Sequence, residues 1–128
     1  MIAFSESELM IMELIWSCNR PICAADVQNV YEEKHWKMQT INTMLKRLSN
    51  KGAIRFDKVK TGKTYTHYYT ASISQDEYKQ AQSKFFIENI HKGSLFSFVS
   101  SLVEQNAISS QDIERAKRWL AEWQKDEK

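Results

Sequence analysis

The sequence has few of the residues and segments that are typical of flexible, secreted or membrane proteins. One proline and three glycines in 128 residues favour a compact and mostly helical chain. No apolar stretch approaches the ~20 residues that cross a bilayer, and the N-terminus lacks the basic-then-apolar pattern of a secretory signal. We therefore expect a cytoplasmic protein without direct membrane binding.

The cysteines and histidines lack the spacing of a metal site. Cys18 and Cys23 do not form a C-x-x-C pair, and the three histidines, His35, His67 and His91, are scattered. Free cysteine usually behaves as a small buried hydrophobe, so we favour reduced, structural thiols; a redox or metal role stays open. No nucleophile–base pair or phosphate loop is evident, so we expect neither an enzyme nor a cofactor.

Positive charge is concentrated in one segment. Between Lys34 and Lys63 nine basic residues accompany one acid, Asp57, giving a net charge of +8, whereas the whole chain carries +2. A local excess of this size attracts a polyanion. Charge alone would equally fit a solvated basic surface without a ligand, so the local structure has to distinguish the two.

Within this basic segment, Trp36–Gly52 predicts an amphipathic helix. Ile41, Leu45 and Leu48 fall at i, i+4 and i+7 on one apolar stripe. We expect the helix to start at Gln39 or Thr40, where a threonine can cap free backbone N–H groups, and to stop at Gly52. Side chains that can bond base edges or phosphates lie off the stripe: Gln39, Asn42, Thr43, Lys46, Arg47 and Asn50.

The alternating residues after this helix predict a β-hairpin. Ala53–Lys60 forms the first strand, Thr61 and Gly62 the turn, and Lys63–Thr70 the return strand. Three lysines surround the turn: Lys58, Lys60 and Lys63. A helix, a glycine stop and a basic hairpin are the parts of a winged helix-turn-helix DNA-binding domain, although an ordinary exposed hairpin would also carry lysines.

Two helices precede this segment. Ser5 and Glu8 form a capping box that opens the first helix, which ends near Ser17. The second helix runs from Ala24 to about Glu33. The side chains expected to face the core are Leu9, Met12 and Trp16 in the first helix and Val27, Val30 and Tyr31 in the second.

The chain after Ser72 predicts three further helices, with nine acidic and eight basic residues. A capping box at Ser74 opens the first of these helices, Gly93 separates it from the second, and Ser109 starts the third. A unit of this size buries only ~60% of its unfolded surface, so its apolar stripes need a partner. We predict a homodimer through residues 72–128; the alternative is a monomer whose C-terminal helices fold back on the N-terminal domain.

The order of these parts resembles the penicillinase-repressor (BlaI/MecI/CopY-type) transcriptional regulators. The resemblance starts at Ser5–Trp16, continues through Trp36–Gly52 and extends to Asp76–Gln80 and Lys92–Ser94. Met44 replaces the leucine that is usual in the family. The matching residues of the central segment are Trp36, Thr40, Thr43, Arg47, Leu48, Lys51 and Gly52.

This resemblance implies a mainly α protein with a small β-hairpin wing. A winged helix-turn-helix domain would occupy residues 1–71 and a helical dimerisation domain residues 72–128. The protein would repress a resistance or stress operon as a dimer on a pseudo-palindromic operator of double-stranded DNA. By the resemblance, Gln39, Thr40, Thr43 and Arg47 would reach bases or nearby phosphates, and Lys46, Lys60 and Lys63 the DNA backbone; Asn42 of the same polar face completes the predicted set.

The resemblance does not determine how the repressor is released from its operator. Penicillin-responsive members are cut by a sensor-activated protease, often at an Asn-Phe bond, and the matching position here is Ser101–Leu102. A membrane sensor and protease system is therefore a candidate partner with an altered cleavage region. Copper-responsive members carry Cys-x-Cys pairs that this sequence lacks. The remaining alternatives are a metal-responsive repressor of that type and a winged helix that binds protein instead of DNA.

Overall fold

A computed structural model describes residues 2–127 of the chain. Six α-helices and one two-stranded antiparallel sheet occur in these residues, with a 3-10 turn at Glu32–Lys34 and a π-helical turn at Phe86–Ile90. The elements are α1 (Glu6–Ser17), α2 (Ala24–Val30), α3 (Met38–Asn50), β1 (Ile54–Thr61), β2 (Thr64–Ala71), α4 (Gln75–Phe85), α5 (Leu95–Glu104) and α6 (Ser110–Glu127). The predicted class, mainly helical with a β-hairpin wing, is confirmed.

The chain folds as two compact units, Met1–Gln82 and Ser83–Lys128. The first unit contains one core, built from the facing sides of α1, α2, α3 and the hairpin. Its fully buried side chains are Ile11, Met12, Ile22, Val27, Ile41, Leu45 and Leu48. The start of α4 belongs to the same unit, because Tyr78 stacks on Phe4 with ring centroids 4.8 Å apart.

The hairpin is attached to the core at its base. Ile54 pairs with Ala71 at the base, and Thr61 pairs with Thr64 at the turn. Ile22, in the loop between α1 and α2, exchanges backbone hydrogen bonds of 3.1 and 2.7 Å with Tyr69 of β2. The hairpin base is therefore fixed to the helices, and its tip extends away from the core.

Two predicted core positions were wrong. Leu9 is only half-buried, because the core side of α1 consists of Ile11, Met12 and Ile15. Val30 is 52% exposed, because α2 ends there and the chain continues as a 3-10 turn in place of the helix predicted to reach Glu33. The periodicity that places Val30 on the buried side stops applying where the α-helix ends.

The helices of the second unit carry many exposed apolar side chains. Ser94 caps α5, and Ser109 accepts a hydrogen bond from the backbone N–H of Asp112 at the start of α6. Phe96 of α5 is 82% exposed, and Trp119 of α6 is 63% exposed. Among the described helices none has the length and apolar character needed to cross a membrane.

Candidate nucleic-acid interface

Helix α3 has one buried and one polar face. Ile41, Leu45 and Leu48 are fully buried, as their spacing predicts, and Met44 is buried beside them. The opposite face carries the polar side chains predicted to contact DNA, all of which are exposed: Gln39, Thr40, Asn42, Thr43, Lys46 and Arg47. Burial of the apolar stripe therefore leaves the amides, hydroxyls and cations of α3 available to a ligand.

The start of α3 differs from the prediction by one or two residues. The helix begins at Met38, with Lys37 as N-cap in an extended conformation and without a side-chain cap. Thr40 is the third helical residue, so it does not cap the helix as expected. The first backbone N–H groups of α3 thus lack a side-chain partner, and groups of this kind can donate to a phosphate oxygen.

The end of α3 connects it tightly to the hairpin. Gly52 has a φ of +78°, in the left-handed region that glycine adopts readily. Its N–H donates to the carbonyl of Ser49 at 3.0 Å, and the N–H of Ala53 donates to the carbonyl of Leu48 at 3.0 Å. This pair of bonds is a Schellman motif. It turns the chain directly into β1, so the polar face of α3 and the wing are held in one arrangement.

The hydroxyl group of Thr43 already uses its hydrogen in a bond within the helix. Its hydroxyl donates to the backbone carbonyl of Gln39 at 2.9 Å. The oxygen of Thr43 therefore remains as an acceptor, and its methyl group remains available for apolar contact. These are the properties that suit an amino group or a thymine methyl at the floor of a major groove.

The ammonium of Lys51 is paired within the protein, so its charge is partly neutralised although the side chain is partly exposed. Its ammonium donates to Glu8 Oε1 at 2.7 Å and to the carbonyl of Ala3 at 2.9 Å. The Glu8 side chain is only 5% exposed. Burial raises the pKa of Glu8, but hydrogen bonds from Lys51 and Ser5 outweigh it and leave the pKa below its ordinary value. The two partners are 43 residues apart, so no local pattern predicts their contact.

The wing lysines lie on both sides of the hairpin turn. The strand register pairs Lys60 with Tyr65 and Lys58 with His67, and the third lysine, Lys63, lies in the turn itself. All three lysines are exposed. Among the side chains that the structure describes, residues 2–125, no carboxylate lies within ion-pair distance of the predicted DNA-binding cations, which are Lys46, Arg47, Lys60 and Lys63. Their charge is therefore free to attract an anion.

The thiols occupy structural positions at helix ends. Cys18 is the C-cap of α1 and Cys23 the N-cap of α2, and both are free and half-buried. Asp26 accepts a hydrogen bond from the backbone N–H of Cys23 at 3.0 Å and from Arg20 at 3.2 Å. These two bonds lower the pKa of Asp26. No cluster of three potential metal ligands occurs in the part of the chain that the structure describes.

Comparison with known proteins gives a consistent result along most of the chain. The sequence model of the Penicillinase repressor family matches residues 4–122. The methicillin resistance regulatory protein MecI of Staphylococcus aureus (strain N315) is 31% identical over 116 residues, 91% of each chain. The penicillinase repressor of Bacillus licheniformis is 29% identical over 118 residues, 92% of this chain and 89% of its own.

A more distant relative, the penicillinase repressor of Staphylococcus aureus, is 24% identical over 113 residues, 88% of this chain and 86% of its own. The names of these relatives describe a repressor or a regulatory protein, not an enzyme. The matched region extends from the residue before the α1 cap into α6, so it includes α3, the wing and most of the C-terminal unit. This chain belongs to the penicillinase repressor family of winged-helix transcriptional regulators.

Proposed function

We propose that the protein represses a resistance or stress operon by binding, as a homodimer, a pseudo-palindromic operator through α3 and the wing. The observation that carries this proposal is the exposed polar face of α3 opposite its buried stripe. An α-helix fits the major groove, where amides and guanidinium groups read base edges. The relatives named as penicillinase repressor and methicillin resistance regulator support the regulatory role.

The residues divide by the kind of DNA contact that their chemistry allows. Arg47 suits a bidentate contact to guanine and Gln39 one to adenine. Thr40, Asn42 and Thr43 are the further polar side chains of the same face. Lys46 of α3 and the wing lysines Lys60 and Lys63 would neutralise phosphates, which supplies affinity without sequence information.

Dimerisation is supported by the apolar surface of the second unit. Exposed aromatic and aliphatic side chains occur on both α5 and α6, with Phe96 and Trp119 the most exposed. Large apolar side chains exposed in such number favour an interface with a partner. A second copy of the chain is the simplest partner, because a two-fold dimer would match two inverted half-sites on DNA. The dimerisation domain would then comprise residues 72–128, after a DNA-binding domain of residues 1–71.

Release of the repressor by a membrane sensor and protease system is part of the same proposal. The candidate cleavage residues, Ser101 and Leu102, lie within α5 and are half-buried. A protease needs an extended substrate, so α5 would have to unfold locally before cleavage.

Selection of bound duplexes from a random pool tests the proposed function. We expect enrichment of an inverted repeat, with binding that weakens steeply as salt increases. A pool that shows no enriched sequence after repeated selection would contradict the proposed operator recognition. Enrichment of a single asymmetric site would contradict the dimeric mode alone.

A further inference from the structure

A partly open groove of about 680 Å³ separates α3 from the hairpin. Asn42, Lys46 and Ser49 of α3 line one wall, and Phe56 and Tyr65 of the hairpin line the other. The volume lies within the ~300–1,000 Å³ that is usual for sites of small organic ligands. All of its lining belongs to the first compact unit, so the groove is a feature of the winged-helix domain itself.

The hairpin wall of the groove presents aromatic rings. Phe56 stacks on His67 with ring centroids 4.4 Å apart and nearly parallel planes, and it also contacts Tyr69, whose ring centroid is 5.8 Å away. Tyr65, whose ring is large and flat, is 63% exposed. Rings held in this way by the strands offer stacking surfaces to a planar ligand.

The helix wall of the groove supplies unused polar groups. Lys46 is exposed, and no described carboxylate pairs with it. Ser49 Oγ is buried and has no hydrogen-bond partner among the described residues. A buried hydroxyl without a partner is unfavourable, so a ligand atom that bonds it would remove that cost.

We propose that this groove binds a planar aromatic carboxylate and that the bound acid weakens operator binding. The ring would stack on Tyr65 and Phe56, and the carboxylate would pair with Lys46. Asn42 and Lys46 belong both to the groove and to the predicted DNA-binding face, so one ligand would occupy side chains that the operator needs. The regulatory half of this inference rests on the proposed repressor function, whereas the binding site itself does not.

Binding is tested on the full-length protein with 2-naphthoate and with the neutral 2-naphthylmethanol, followed by amide chemical shifts. We expect saturable shifts with naphthoate around residues 42, 46, 49 and 65. The alcohol should bind about tenfold more weakly, because it cannot form the charge-assisted bond to Lys46. Equal affinity of the two probes, shifts confined to other regions, or no saturation at millimolar probe would overturn the inference.

Two substitutions at exposed positions separate the charge from the stacking. Lys46→Met should reduce the affinity for naphthoate to that for the alcohol. Tyr65→Ala should lower the affinity for both probes. Lys79→Met, at an exposed lysine of α4, is the matched control and should bind both probes like the unsubstituted protein. If Lys46→Met and Lys79→Met bind naphthoate equally, the assigned carboxylate position is wrong.

A competition experiment distinguishes this inference from the proposed function. Naphthoate should raise the apparent Kd of the selected duplex, and the same concentration of acetate should not. Duplex binding that naphthoate leaves unchanged would contradict the regulatory inference while the proposed function stands. Naphthoate binding to a protein that binds no duplex would support the site and contradict the repressor function.

Discussion

Arg47 and Lys60 should contribute to DNA binding in different ways. Arg47 is exposed on the polar face of α3, and Lys60 is exposed on the wing. Replacing Arg47 by alanine should cost ~1–3 kcal/mol of binding free energy and relax the preference at one base pair. Lys60→Ala should instead lower the affinity for all duplexes evenly, and it should reduce the slope of log affinity against log salt concentration by about one. Fluorescence anisotropy with single-base operator variants measures both effects.

Lys79→Ala is the control for these two variants, because Lys79 is exposed on α4 outside the predicted interface. It should bind the operator like the unsubstituted protein. An Arg47→Ala protein that keeps full affinity and full base preference would remove Arg47 from the predicted site.

The Glu8–Lys51 pair should affect stability and not DNA reading. Lys51→Met leaves the buried Glu8 carboxylate without its cation, which we expect to cost ~3 kcal/mol or more. Glu8→Gln should cost less, about 1 kcal/mol, because the partly exposed Lys51 can reach water. Urea unfolding of the two variants measures the difference. A larger loss in Glu8→Gln than in Lys51→Met would contradict the assigned burial.

The same pair predicts a pH dependence. The pKa of Glu8 is lowered in the folded protein, so its stabilising contribution is complete above the unfolded carboxyl pKa of ~4.3 and is lost as the pH falls through the folded value. The unsubstituted protein should therefore lose more unfolding free energy than Glu8→Gln between about pH 5 and pH 3. If the free energy of unfolding fell equally with pH in the two proteins, the pKa of Glu8 would not be lowered in the folded state.

The sequence predicts the exposed residues of α3 well but not the engagement of Lys51. Ile41, Leu45 and Leu48 define the buried stripe, so the orientation of Gln39 or Arg47 follows from helical spacing alone. Lys51 counts toward the basic segment in the sequence, yet its partner Glu8 is 43 residues away. A contact of this kind depends on the tertiary packing of α1 against α3, which no local pattern contains.

At the scale of the elements, the junction between α3 and β1 should be sensitive to Gly52. A Cβ at this position would meet no atom within 4 Å, so a substitution is opposed only by the φ of +78°. Gly52→Ala should therefore cost about 1 kcal/mol of unfolding free energy, and Gly52→Asn less, because asparagine tolerates the left-handed region better than alanine. Thermal or urea unfolding compares the two. Equal losses would indicate a steric cause instead.

Capping boxes and turn signals predict most element boundaries. Ser5 and Ser74 each accept a hydrogen bond from a glutamate N–H three residues later, as their sequence pattern indicates. Val30 and the start of α3 show the limit of such signals. Both lie at the turn between α2 and α3, where His35 adopts a left-handed conformation, and the exact path of a turn depends on how the flanking helices pack.

At the scale of the molecule, the exposed apolar surface of the second unit predicts the oligomeric state. Phe96→Glu places a charge on a side chain that is largely exposed in the single chain, and we expect it to dissociate the dimer. Val59→Glu, at an exposed apolar position of the wing, is the control and should leave the dimer intact. Sedimentation equilibrium at micromolar protein measures both. An unsubstituted protein that stays monomeric would contradict the dimer proposal.

Helix α3 is proposed to bind in the major groove with the face opposite its buried stripe. The most direct test is a crystal structure of the protein bound to its selected operator. We predict Gln39, Thr43 and Arg47 against base edges, with Lys60 near a phosphate. A complex in which these α3 side chains point away from the duplex, with DNA held by another surface, would contradict the account.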